Sequence, residues 1–422
     1  MSLDRREFLK RGITFVTLSL TSKYMMMQVT PGGDSVFGQA SAQSGSNNLL
    51  VIIQLNGGND GLNTVVPYSN GFYYDARPSL NVAQKDVLAL NNDLGLHPKL
   101  VNLKKLYDGG KVAIINGVGY PNPSRSHFRG TDIWMSANPD KIERTGWIGR
   151  FLDESIARFH NVKTPAANIG GALPLTLRST KVVVPSIVNL QSFQLQTDGK
   201  YPQDRANRLQ VFTQLNSQPF DAGAYLALIA QTGLGAHQSA EELQQAVKKY
   251  KSTVQYPTDP FGQGLKLIAQ IIAAGVGTQI MHVAIGGFDT HANQSIERPV
   301  SHQTLLERVD AGMNALYQDL TQMGIANDVL IMTFSEFGRR VRENGSQGTD
   351  HGTAAPLFAL GNRVKGGLYG QYPSLSQLDN NGDLIHTVDF RSVYATVLED
   401  WLRADSKAIL RNSFENLGFI AK

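Results

Sequence analysis

Asp289 and His291 stand two residues apart in Phe288-Asp289-Thr290-His291, beyond an apolar run from Gln279 to Ile285 and a pair of glycines. A carboxylate and an imidazole at that spacing turn towards one point when the segment is extended, and the pair suits zinc, manganese or iron. A second cluster, Ser335-Glu336-Phe337-Gly338-Arg339-Arg340, closes the run Val329 to Phe334. Gly348-Thr349-Asp350-His351-Gly352 follows it shortly afterwards. Each cluster has a plain structural use: Asp289 as a helix cap, Glu336 in a salt bridge with Arg339 or Arg340. His351, however, lies in a loop with no apolar pattern that would make it core. Gathered at one edge of a sheet, such groups are the raw material of a metal site or an acid-base pair.

A third stretch, Tyr120 to Phe128, follows another strand and starts a helix. Backbone N–H groups and the helix dipole at such a start hold an anion. Ser126 is either the cap of that helix, or Ser126 or Ser124 is a nucleophile and Arg125 a clamp for phosphate or sulfate oxygens. No G-x-S-x-G elbow is present, which disfavours an α/β-hydrolase triad. Gly275-Val276-Gly277 precedes its strand rather than following it, so it is no dinucleotide fingerprint. Without a P-loop either, no nucleotide cofactor is expected.

The elements that must position these groups are strands alternating with helices. Leu49 to Leu55 is an almost unbroken apolar run, as a strand buried on both faces requires, and it opens into the glycine-rich loop Asn56 to Thr64. A helix over Pro98 to Tyr107 leads to a strand over Val112 to Asn116, and the helix after Ser126 runs to Trp134. From about Gly170 to Pro260 the pattern changes. Short β-like pieces, Lys181 to Pro185 and Ser186 to Leu190, give way to helices over Arg205 to Leu215 and Ala240 to Tyr250, the latter capped by Ser239. This region reads as an insertion or cap. A helix over Phe261 to Ala274 feeds the strand before Asp289, and a long helix, Ser301 to Met323, joins it to the strand before Glu336. A strand near Pro356 to Leu360 and a helix from Phe390 to Leu402 complete the core. The fold class is therefore α/β, with a mostly parallel sheet covered by helices on both faces.

The chain has 422 residues and no cysteine, which removes disulfides, zinc-thiolate sites, iron-sulfur clusters and any thiol nucleophile. Residues 1–42 read as a twin-arginine export signal: Arg5-Arg6-Glu7-Phe8-Leu9-Lys10, a modest apolar run from Ile13 to Leu20, and Ala40-Ser41-Ala42 as a cleavage site. Residues 43–48 are a polar linker, and 49–422 form one domain. The expected partner during export is the twin-arginine translocase, and the destination is the periplasm or the exterior. Cleavage after Ala42 leaves 34 basic against 32 acidic residues, a net charge of +2. No basic run with interleaved aromatics appears, so nucleic-acid binding is not expected. No segment reaches the roughly eighteen apolar residues of a transmembrane helix.

The chain resembles a twin-arginine-exported bacterial family known as domain of unknown function 1501. The resemblance rests on Gln54-Leu55-Asn56-Gly57-Gly58-Asn59-Asp60-Gly61-Leu62-Asn63, Leu96-His97-Pro98, Asn116 to Pro121, Ser126-His127-Phe128 and Gly146-Trp147-Ile148-Gly149-Arg150. It continues through Phe288-Asp289-Thr290-His291, Phe334 to Arg339, Gly366 to Gly370 and Asp389-Phe390-Arg391. That family is in turn similar to the alkaline phosphatase and sulfatase superfamily. This likeness implies an alkaline-phosphatase-like fold, with Asp60 or Asn63 in the first carboxylate position and Ser126 or Ser124 as nucleophile. It further implies Asp289 and His291 as a metal pair and His351 as a late ligand. The superfamily's Ser-Asp-His-Gly is here Ser335-Glu336-Phe337-Gly338; Glu can stand for Asp, but Phe337 cannot ligate.

Together these readings lead to an exported, metal-dependent hydrolase of phosphate or sulfate esters. Ser126 and Arg125 would carry the chemistry. Asp60, Asp289, His291, Glu336 and His351 would hold a divalent metal such as zinc or manganese, facing an anionic ester. The alternative, motivated by Phe337, is a catalytically degenerate exported protein that binds a cell-surface glycan or a partner protein.

Overall fold

The computed structural model describes residues 48–159, 162, 164–188, 205–216, 244–245, 247, 250–296 and 299–421. The signal expected over residues 1–42, nearly all of the linker and most of the helix expected over Ala240 to Tyr250, with its cap Ser239, lie outside the described residues.

Among the described residues, nine strands form the main sheet: β1 (Leu49–Asn56), β2 (Val112–Gly119), β3 (Ala166–Ile169), β4 (Ser186–Ile187), β5 (Ile280–Gly286), β6 (Val329–Phe334), β7 (Ala355–Leu360), β8 (Gly367–Tyr369) and β9 (Val388–Asp389). Their lateral order is β8-β2-β7-β6-β1-β5-β3-β4, with β9 beside β2. The apolar run of β1 puts it at the centre, paired in parallel with β5 on one side and β6 on the other. β7 runs against both of its neighbours, β2 and β6. Its amino end therefore lies beside the carboxyl ends of the strands around it. Ser186–Ile187, inside the stretch expected as an insertion, pairs in parallel with β3 as an edge strand. Lys181 to Pro185 forms no strand.

Among the described residues the helices that flank the sheet include α1 (Val101–Asp108), α2 (His127–Ser136), α3 (Trp147–Glu154), α4 (Pro260–Ala274), α5 (His302–Gln322) and α6 (Phe390–Thr396). Their ends follow from their sequences. Asp259 caps α4 by accepting from the Phe261 and Gly262 N–H groups, Pro260 takes the first turn, and Gly275 ends the helix in a left-handed conformation. Ser301 and Thr304 form a capping box at the start of α5. The two-residue period of β1 assigns its side chains to opposite cores. Val51, Ile53 and Leu55 join Leu103 of α1, Leu265 and Ile268 of α4 and Val309 and Met313 of α5. Leu50 and Ile52 join Trp134 of α2, Trp147 and Phe151 of α3 and Phe390 and Tyr394 of α6. After Thr396, α6 continues as a π-helical turn, Val397–Trp401. Among the described residues no helix is long and apolar enough to cross a membrane.

Candidate functional site

Loops after β1, β5 and β6, the loop before β7 and the start of α2 meet at the carboxyl edge of the sheet. Two glycines allow the first of them to lie flat against the others. A Cβ on Gly57, whose φ is +120°, would fall 2.4 Å from the Asp289 backbone nitrogen, and one on Gly58, at φ +80°, would fall 2.4 Å from the Phe337 ring. Arg339, fully buried, ties the loops together. Its Nε donates to Gly58 O (2.7 Å), its Nη1 to Thr349 O (2.8 Å), and its Nη2 to Phe288 O (3.0 Å), Asp289 Oδ1 (2.7 Å) and Gly57 O. Backbone pairing adds a second tie: Arg340 N donates to Asp350 O (3.0 Å), and Gly352 N to Gly338 O (2.9 Å). His351 is thereby held against Arg339 as an isolated β-bridge.

Three imidazoles converge on Asp289 in this frame. His127 Nε2 lies 3.4 Å from Asp289 Oδ2, while His351 Nε2 and His291 Nε2 lie 3.2 and 3.0 Å from Asp289 Oδ1. The two latter nitrogens are 2.9 Å apart. Each ring is anchored through its other nitrogen to a group that can only accept: His127 Nδ1 to Glu336 Oε1 (2.9 Å), His291 Nδ1 to Asp350 Oδ1 (2.9 Å) and His351 Nδ1 to Arg125 O (2.7 Å). Nδ1 therefore carries the proton in each neutral ring, and Nε2 presents its lone pair to the cluster. Phe337 forms an apolar floor, its ring centre 4.9 Å from that of His127 and 4.7 Å from that of His351.

This donor set fits a divalent ion. His127 Nε2 is buried and has no hydrogen-bond partner, and leaving a buried nitrogen unpaired is costly unless something else occupies its lone pair. The ligand atoms of His127, Asp289 and His351 all lie within 4.8 Å of one another, close enough to share one ion with bonds of about 2.0–2.2 Å after small side-chain adjustments. Oxygen, nitrogen and second-sphere carboxylates match the way imidazole sites are oriented. Asp289 is ready as an anion: burial raises its pKa, but Arg339, His351 and His291 outweigh this and bring it to about 2. Burial holds the His351 pKa below its usual value, against the opposing pull of the Arg125 carbonyl and Asp289. The His291 contact, supported by Asn344, lowers the Asp350 pKa despite burial.

The expected residues divide into those at the cluster and those elsewhere. Asp289, His291 and His351 come together. Glu336 is one step behind them, fully buried, with Oε1 accepting from both His127 Nδ1 and Gly57 N (2.8 Å). Asp60 is held elsewhere: Oδ2 is 2.6 Å from Arg77 Nη1 and also accepts from Gln294, and Oδ1 caps the turn Gly61–Thr64. Burial raises the pKa of Asp60, but Arg77 and His302 bring it to about 2. Asn63 joins the same buried network through Arg77 and Tyr73. Ser126 is exposed at the start of α2, its hydroxyl making no capping bond, while Ser124 Oγ accepts from the Ser126 N–H (3.3 Å). Arg125 points away from the cluster, with Nε on Asp383 (2.7 Å) and Nη2 on Asp379 (2.9 Å). An oxygen clamp is not what its guanidinium forms in this arrangement.

His127 is the residue that sequence reasoning left out. The signal for it is its place beside Ser126 at the first residue of α2. With Asp289 and His351 it forms the one group among the described residues able to hold a metal by mutual spacing.

Residues 116–410 match the family described as Protein of unknown function (DUF1501). No curated protein matches the chain by sequence. Among solved structures, the PsFucS1 sulfatase from Pseudoalteromonas sp. is similar at 13% identity and a TM-score of 0.41, covering 89% of this chain and 72% of that one. The lipoteichoic acid synthase LtaP from Listeria monocytogenes gives 10% identity and a TM-score of 0.34, covering 77% and 68%. The C-terminal periplasmic domain of EcEptC from Escherichia coli gives 10% and 0.35, covering 87% of each chain. At these values the likeness carries no argument about chemistry.

Proposed function

The chain belongs to the family described as Protein of unknown function (DUF1501), and for this member we propose a metal-dependent hydrolase that cleaves phosphate or sulfate esters after export. The observation that carries the reading is the set of three imidazoles, each fixed through Nδ1, whose Nε2 atoms meet around one ionised carboxylate. His127, Asp289 and His351 would hold the ion, with His291 beside them, while Glu336 and Asp350 orient the rings. A divalent ion there supplies Lewis acidity towards an ester oxygen.

The chain's own residues supply the rest. Ser126, exposed and uncommitted as a cap, would be the nucleophile: its oxygen bonds to phosphorus or sulfur as the ester oxygen departs, and the proton given up by the hydroxyl ends on that leaving oxygen. The first turn of α2, which has no side-chain cap, would present its N–H groups to non-bridging oxygens. Water then releases the acid from Ser126 and restores the hydroxyl. Arg125 takes a different part from the clamp expected. It ties the Ser124–Ser126 segment to the Asp379–Asp383 loop, and its carbonyl sets the His351 tautomer.

Purified mature protein should carry stoichiometric divalent metal and turn over aryl phosphates or aryl sulfates. Asp289→Ala should lose both while its circular dichroism is unchanged. Folded wild-type protein that takes up neither zinc nor manganese would sink the proposal. The engagement of Arg125 by two carboxylates favours one second reading, a binding protein without turnover. Thermal stabilisation by an ester or glycan, with metal bound but no hydrolysis across an ester panel, would select it.

A further inference from the structure

Asp289 Oδ1 is already in contact with a cation. Arg339 Nη2 donates to it at 2.7 Å, and the rest of the guanidinium is fixed by the carbonyls of Gly57, Gly58, Phe288 and Thr349. The Arg339 side chain has no solvent exposure and cannot swing out without breaking four backbone contacts. Building on the metal site proposed above, we propose that Arg339 is a built-in second positive charge, so that the site takes one divalent ion and excludes a second.

Three observations support this. Paired-metal centres set their ions roughly 3.5–4 Å apart and usually share a bridging oxygen. Asp289 is the only carboxylate with an oxygen on the Nε2 side of the cluster among the described residues. An ion on its Oδ1 would lie within about 5 Å of the Arg339 nitrogen, and the guanidinium holds the direction from which a bridge would form. Ligand supply gives the second point. Glu336 and Asp350 face the Nδ1 atoms of His127 and His291, so they serve rings rather than an ion. Four groups remain for the ions, enough for one closed set and not for two.

Charge balance gives the third. Counted formally, Asp289, Glu336 and Asp350 contribute three negative charges and Arg339 one positive. Nearby Arg125 and Arg340 are matched by Asp379 and Asp383, and Asp60 by Arg77. The neighbourhood therefore has two uncompensated negative charges, which one dication neutralises. A second would leave an excess of two positive charges at a partly buried edge, a costly arrangement at low local dielectric.

The test is a cobalt(II) titration of chelator-treated mature protein, followed by its visible absorption and checked by elemental analysis after gel filtration. The expected result is a break at one equivalent, lost in His127→Ala. Manganese(II) electron paramagnetic resonance at several equivalents should show no exchange-coupled pair. A break at two equivalents, or a coupled manganese pair, overturns the inference and leaves the hydrolase reading standing. No tight binding at all overturns the metal reading and this inference with it.

Discussion

Glu336→Gln isolates the part that this buried carboxylate plays. Its Oε1 accepts from His127 Nδ1 at 2.9 Å and from Gly57 N at 2.8 Å, and glutamine can place its amide oxygen where Oε1 stands. Both contacts survive geometrically, and what changes is the charge behind the imidazole. A charge-assisted hydrogen bond contributes about 1.5–3 kcal/mol against about 0.5–1.5 for a neutral one. The difference, about 1–1.5 kcal/mol, converts to roughly tenfold in affinity, at the lower edge of the roughly 10–100-fold usual for groups that orient a metal-bound imidazole. Competition with a chromophoric chelator at fixed pH would measure the metal affinity of four proteins: wild type, Glu336→Gln, His127→Ala and the double variant. If Glu336 acts only through His127, the roughly tenfold loss collapses to twofold or less once His127 is gone. An undiminished loss in the His127→Ala background would make Glu336 a direct ligand and refute the geometry argued above. An unchanged affinity in Glu336→Gln, with near-native circular dichroism, would refute the anchoring itself.

Two further outcomes follow from other parts of the chain. Asp60 is fully buried and its pKa is lowered from 3.8 to about 2, so its ionised form contributes about 2 kcal/mol of stability; that contribution is complete above pH 4 and disappears as pH falls towards 2. In Asp60→Asn, denaturant melts at neutral pH should show a loss of about 3–5 kcal/mol, since Arg77 is left buried and unpaired, and the acid limb of the stability profile should flatten. Export is tested by fractionation: Arg5→Lys with Arg6→Lys should retain the protein in the cytoplasm, and unchanged localisation would remove the twin-arginine assignment.

Much of the frame was legible because strand burial leaves a local trace. The apolar runs of β1, β5 and β6 located three strands within a residue or so of their observed ends, and the helices expected from Phe261 and Ser301 start one residue away, at Pro260 and His302. The reversal of β7 was not legible: a six-residue apolar strand reads the same in either direction, and only its pairing reveals its sense. The cluster was visible as three fragments, but not its membership. Glu336 and His127 are 209 residues apart, so nothing local shows that one anchors the other. By sequence position Phe337 stands where the superfamily pattern has a histidine ligand. In space it underlies two imidazoles, a role that apolar character suits. Asp60 and Arg77, 17 residues apart, form a buried pair that only the packing of the first loop discloses.

The reversed strand β7 also divides the site into a local and a long-range half. Because its amino end returns to the edge that β6 has just left, Arg339 and His351 meet by closing a loop of only 12 residues. Bringing His127 to Glu336 closes one of 209, which costs about 2.5 kcal/mol more in chain entropy. The β6–β7 half of the site therefore needs only a local turn, whereas the His127 half depends on α2 being docked on its core.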